Sequence, residues 1–106
     1  MKKRSAPEEV EPVCLGNTRY EAPLWGKNRG LGQNGGHIVA IDQSTGQELW
    51  VVCLYEIRYD PNMEEDKQDI FLTSLTVDAA GSRLLAEDER GRQFALDLFS
   101  RQVTTL

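Results

Sequence analysis

The sequence is poor in the residues from which most catalytic and metal centres are assembled. It holds one histidine, His37, and two cysteines, Cys14 and Cys53, among 106 residues. No Cys-x-x-Cys pair or histidine cluster accompanies the cysteines, so neither a structural zinc site nor a redox motif is encoded. A serine triad would have to recruit His37, and none of Ser44, Ser74, Ser82 or Ser100 sits in a Gly-x-Ser-x-Gly elbow. His37 is expected beside a turn at the surface. Cys53 lies between Val52 and Leu54, where a thiol is expected to pack as a small core residue rather than attack a substrate. An enzyme is therefore not expected, and no cofactor is implied.

Long apolar runs are also missing. No stretch reaches the roughly 18 residues that a membrane-spanning helix requires, so no membrane partner is expected. Positive charge is in deficit: 12 Lys and Arg stand against 17 Asp and Glu, a net charge of −5. Such a balance repels phosphate backbones, and the one late basic group, Arg83, Arg90, Arg92 and Arg101, is interleaved with Glu87, Asp88, Glu89 and Asp97. Nucleic acid is not an expected partner. The opening Met1-Lys2-Lys3-Arg4 looks like the start of an export signal, but acidic residues and prolines then stand where an apolar segment should be. A cytoplasmic location is the expectation.

What the chain does contain is short strands and turn residues. Its length fits one domain. Residues 1–16 are charged and aperiodic and read as a flexible arm, leaving residues 17–106 as a single β domain. An extended piece is expected from Thr18 to Trp25. From Gly26 to Gly36 the density of glycine and asparagine specifies a loop. His37 to Asp42 is rich in β-branched residues, and Gln43-Ser44-Thr45-Gly46 supplies a hairpin turn. The returning strand is expected to run from about Gln47 to Tyr59. Leu49, Val51, Cys53, Tyr55, Ile57 and Tyr59 would share one face, and Trp50, Val52, Leu54, Glu56 and Arg58 the other. After the acidic break at residues 60–69, strands are expected at Ile70 to Val77, Arg83 to Glu87, Arg92 to Asp97 and Gln102 to Leu106. The sum is an all-β fold: an antiparallel meander of six to seven strands, curled into one sheet or a small sandwich.

The stretch Val39-Ala40-Ile41-Asp42-Gln43-Ser44-Thr45-Gly46-Gln47-Glu48-Leu49-Trp50 resembles the repeat of quinoprotein-type β-propellers. Their blades carry Ala-x-Asp-x-x-Thr-Gly-x-x-x-Trp, matched here by Ala40, Asp42, Thr45, Gly46 and Trp50. A weaker copy begins at Phe94, 55 residues on, with Asp97 at the place of Asp42, Arg101 at that of Gly46 and Thr105 at that of Trp50. The resemblance covers residues 37–53 and 83–103 and implies about one and a half blades. A closed propeller needs about four or more. The quinone cofactor of that family is not implied. Read without the family, the motif ends an apolar strand at an Asp that caps turn N–H groups, places glycine in the left-handed region, and lays Trp50 over the hairpin.

Three stretches present candidate ligands. Gly30-Leu31-Gly32-Gln33-Asn34-Gly35 has the spacing of a pyrophosphate loop but leads into a strand, without a βαβ unit, so a surface loop is expected. Asp60, Asn62, Glu64 and Asp66 alternate as calcium ligands do, although Glu65 stands where an EF-hand has glycine. Tyr20, Trp25, Tyr55 and Tyr59, beside the acidic loop, compose an aromatic patch with a carboxylate rim. The residues expected to meet a partner are Tyr55, Tyr59, Asp60, Glu64, Glu65 and Asp66. The function expected is a non-catalytic protein-binding module of the inhibitor or immunity type, engaging another protein of basic character through its acidic and glycine-rich loops. Alternatives are a small-ligand or calcium binder using Asp60, Glu64, Asp66 and Asp69, or a propeller fragment that associates with copies of itself, a homodimer included.

Overall fold

The structure, a computed structural model, describes residues 8–106. The described residues are all-β apart from a 3-10 turn at Gly26–Arg29 and one helical turn, α1, at Glu65–Gln68. Among the described residues eight strands follow in order: β1 (Val13–Leu15), β2 (Thr18–Glu21), β3 (His37–Asp42), β4 (Glu48–Cys53), β5 (Leu72–Asp78), β6 (Arg83–Asp88), β7 (Gln93–Asp97) and β8 (Val103–Thr105). They form two antiparallel four-stranded meanders, β1-β2-β3-β4 and β5-β6-β7-β8, here called sheet one and sheet two.

One turn chemistry builds the last hairpin of both sheets. In sheet one, Asp42 Oδ1 accepts the N–H groups of Ser44 at 2.8 Å and Thr45 at 3.3 Å, and Gly46 takes φ +75° and donates to Asp42 O at 2.7 Å. In sheet two, Asp97 Oδ1 accepts from Phe99 at 2.8 Å and Ser100 at 2.9 Å, while Arg101, at φ +61°, donates to Asp97 O at 2.8 Å. Even the following hydroxyl is repeated: Thr45 Oγ1 accepts from Gln47 N, and Ser100 Oγ from Gln102 N, both at 3.2 Å. Arg101 adopts a conformation that favours glycine, so its turn is held by the Asp97 cap rather than by backbone preference.

The sheets pack face to face over a single core. Tyr20, Ile38 and Ala40 come from sheet one, Leu54 from the segment after it, and Leu72, Leu75, Leu84, Phe94 and Leu96 from sheet two. Burying each large side chain stabilises the fold by about 1.5–3 kcal/mol, so this layer is the main source of cohesion. The closest approach between the sheets runs along β1 and β5.

Eight strands replace the expected six or seven because β1 lies within the segment read as an arm; Met1 to Pro7 of that arm lie outside the described residues. The long strand expected to Tyr59 ends at Cys53. Beyond it, Leu54 N donates to Gly36 O and Ile57 N to Gln33 Oε1, so the backbone bonds the glycine-rich loop instead of continuing its ladder. The burial expected of β4 is also corrected. Trp50 pairs with Ala40 and Val52 with Ile38, and these face the core, whereas Leu49 and Val51 are 49% and 38% exposed. A register shift between Ala40 and Ile41 sets this phase. Cys53 is exposed rather than a core residue, its Sγ donating to Tyr55 O at 3.0 Å.

Candidate functional site

The second half of the glycine-rich loop is taken into the fold, while Asn28, Arg29, Gly30 and Gly32 stay exposed as a surface loop would. Gln33, Gly35, Gly36 and His37 are buried. A Cβ on Gly35 would stand 2.1 Å from Ile70 O, so only glycine lets the loop lie against the chain entering β5. Gln33 Nε2 donates to Gly35 O at 2.9 Å and Tyr55 O at 2.8 Å, while its Oε1 accepts from Ile57 N at 2.7 Å. Nothing in the string signals this buried amide, because two of its three partners, Tyr55 O and Ile57 N, come from more than twenty positions later. His37, expected at the surface, is only 4% exposed, and its Nδ1 lies 3.2 Å from Asn34 O. Burial holds its imidazole below the ordinary range, which keeps it neutral at physiological pH.

The aromatic residues expected to form a patch are dispersed. Tyr20, 6% exposed, packs on Trp50 with ring centroids 5.9 Å apart, and Trp25 stands edge-on to Phe71 at 5.6 Å. Tyr55 stacks on Phe94 at 5.3 Å, donates its hydroxyl to Ile70 O, and lies under the Arg92 guanidinium at 4.9 Å. It is a strut between the β4 exit and sheet two; burial drives its phenol far above the ordinary range. Tyr59 is half-buried, with Lys27 Nζ 4.1 Å from its ring centroid and Asp69 Oδ1 accepting its hydroxyl. Its pKa is pushed up from 10.0 to about 12, chiefly by burial and next by the bond to Asp69.

The acidic loop remains outside. Asp60, Glu64 and Glu65 are exposed; Glu65 pairs with Lys27, and the side chain of Asp66 lies outside the described residues. Gln68 organises the loop from within. Its Oε1 accepts from Asp60 N, and its Nε2 lies 3.0 Å from Asp60 O and 3.3 Å from both Met63 O and Glu64 O. Asp60 Oδ1 accepts Asn62 N, and Asp69, 4% exposed, points inward to Tyr59 and to Asn34 Nδ2 at 2.9 Å. Among the described residues no group of three or more His, Cys, Asp or Glu is placed to hold a metal ion.

A groove of about 430 Å³ lies elsewhere, walled by Val10 and Pro12 on one side and by Ala22, Leu24 and Trp25 on the other. Trp25 is 45% exposed. Among the described residues no helix is long and apolar enough to cross a membrane. No family model matches the chain, and no curated protein matches it.

Proposed function

We propose that the chain is a non-catalytic protein-binding module, cytoplasmic and built as two propeller-type blades, which presents the loop at residues 60–68 to a basic partner. Support for the blade reading comes from the shared meander order of the two sheets and from the turn that recurs at Asp42 and Asp97. The observation that carries the binding reading is Gln68. Its amide holds the backbone of Asp60, Met63 and Glu64 on one arc, so the loop that carries the exposed carboxylates is set before any partner arrives and its backbone loses little freedom on binding. Charge of one sign on a fixed loop steers a partner of the other sign.

The test compares affinity captures from the native host by the wild-type chain, by Asp60→Lys/Glu64→Lys and by Gln68→Ala. A partner held by wild type and lost from the double variant supports the reading; Gln68→Ala should weaken it without changing the loop's charge. Equal recovery on all three baits would overturn it.

A further inference from the structure

The repeat can be followed through both sheets by strand pairing. Ala40 is flanked by Tyr20 on β2 and Trp50 on β4; its counterpart 55 residues later, Ala95, is flanked by Leu85 on β6 and Thr104 on β8. Ile41 is flanked by Arg19 and Glu48, and its counterpart Leu96 by Leu84 and Val103. The structural counterpart of Trp50 is thus Thr104, one position earlier than sequence spacing gives, because β4 carries a bulge that β8 lacks.

The faces on which these sets lie are opposite in the two sheets. Tyr20, Ala40 and Trp50 belong to the shared core, while their counterparts Leu85, Ala95 and Thr104 lie on the outer face of sheet two. Conversely, Leu84, Leu96 and Val103 belong to the core, and their counterparts Arg19, Ile41 and Glu48 lie on the outer face of sheet one. The sheets are therefore stacked front to back, not front to front. A front-to-back contact is heterologous, so it leaves at each end a face equivalent to one already mated inside the chain.

Both free faces keep material for such a contact. On sheet one, Leu49 and Val51 are exposed along β4, whereas Val39 and Ile41 on the same face are already buried, and Arg19 and Arg29 stand over the sheet, paired with Glu21 and Glu48. On sheet two, Leu106 is 62% exposed above a shallow hollow of about 210 Å³ lined by Leu85, Thr76 and Glu87.

We propose that the outer face of sheet one docks on the outer face of sheet two of a second copy of this chain, continuing the internal interface, and that successive contacts close a ring. With two sheets per copy, the usual four to eight sheets of a closed array correspond to about two to four copies. This contact rests on the two-blade reading, but the loop at residues 60–68 has no part in it, so its failure leaves the binding role of that loop standing.

The test is native mass spectrometry with light scattering between about 1 µM and 1 mM, a span covering weak to moderate association. The wild type is expected at an integral multiple of 12.0 kDa. Val51→Arg on one face and Thr104→Arg on the other should each reduce the particle to one chain; Leu49→Lys and Thr76→Lys replace either variant should it fail to fold. Mixing the two variants restores one intact contact, and a one-to-one pair is expected. A wild type that stays at 12.0 kDa throughout, an assembly that survives both substitutions, or one that responds to only one face would overturn the proposal.

Discussion

The Tyr59 hydroxyl donates to Asp69 Oδ1, and this bond joins the two ends of the acidic loop across residues 60–68. Asn34 Nδ2 donates to the other oxygen, so one buried carboxylate ties the loop to the glycine-rich segment. Tyr59→Phe removes a donor from that carboxylate and is expected to cost about 1–3 kcal/mol. Urea unfolding should show a lower midpoint at unchanged slope, since the surface exposed on unfolding is the same.

Alkaline pH should act on the same bond. The Tyr59 pKa rises from 10.0 to about 12 on folding, so the folded state favours the neutral phenol. The resulting stabilisation is fully present below pH 10.0 and is lost as pH rises through about 12. Tyr55 shifts in the same direction and adds to the loss. Stability measured across this window should therefore fall less steeply in Tyr59→Phe than in wild type, without becoming flat. Equal slopes would show that the hydroxyl does not sense folding.

Two glycines should respond differently to alanine. At Gly46 a Cβ would meet nothing within 4 Å, and only the φ of +75° opposes it, so Gly46→Ala is expected to cost about 1 kcal/mol. At Gly35 the Cβ would meet Ile70 O at 2.1 Å, backbone against backbone. Gly35→Ala must displace the chain entering β5 and is expected to cost about 4 kcal/mol or more. Thermal melts of the two variants give the order directly.

The hairpins were legible in the sequence because their turns are local. Asp42, Thr45 and Gly46 carry the chemistry within five positions, and Asp97 and Ser100 repeat it without the glycine. Strand β1 was not legible: three residues among charges and prolines have no period to read, and only pairing with β2 makes them a strand. The stretch after Cys53 was misread because Tyr55 and Ile57 alternate as a strand would. Their burial instead comes from Phe94 and from the Gln33 amide, contacts no local pattern encodes. The exposed part of the site, Asp60 and Glu64, was visible as charge, whereas the amide of Gln68 that arranges it was not.

Asp88 offers a sharper measure of how the second sheet is closed. Its side chain is fully buried; Oδ1 accepts the N–H groups of Arg90 and Arg92 at 2.9 Å, and Oδ2 accepts Arg92 Nε at 2.6 Å. Asp88→Ala strands both turn donors and frees the guanidinium from its place over Tyr55, at a cost of about 2–4 kcal/mol. Asp88→Asn keeps an acceptor for the turn and loses the ion pair, which half-exposed Arg92 shares with solvent, so it should cost less. Chemical unfolding should rank wild type above Asn and Asn above Ala; equal costs for the two variants would mean that the pair, and not the turn, matters most.

Cys53 separates exposure from reactivity. The residue is exposed, yet its Sγ donates along the chain to Tyr55 O, and burial of the sulfur, with Glu56 nearby, raises the thiol above its ordinary 9.0. Only the thiolate attacks an alkylating reagent, so accessibility alone does not give speed. In a Cys14→Ser background, where Cys53 is the sole thiol, the rate of reaction with a neutral maleimide should rise with pH through a midpoint above 9.0. Unfolding in urea releases the sulfur and should bring the midpoint down. A folded-state midpoint at or below the unfolded one would show that burial of the sulfur does not hold the thiol in its protonated form.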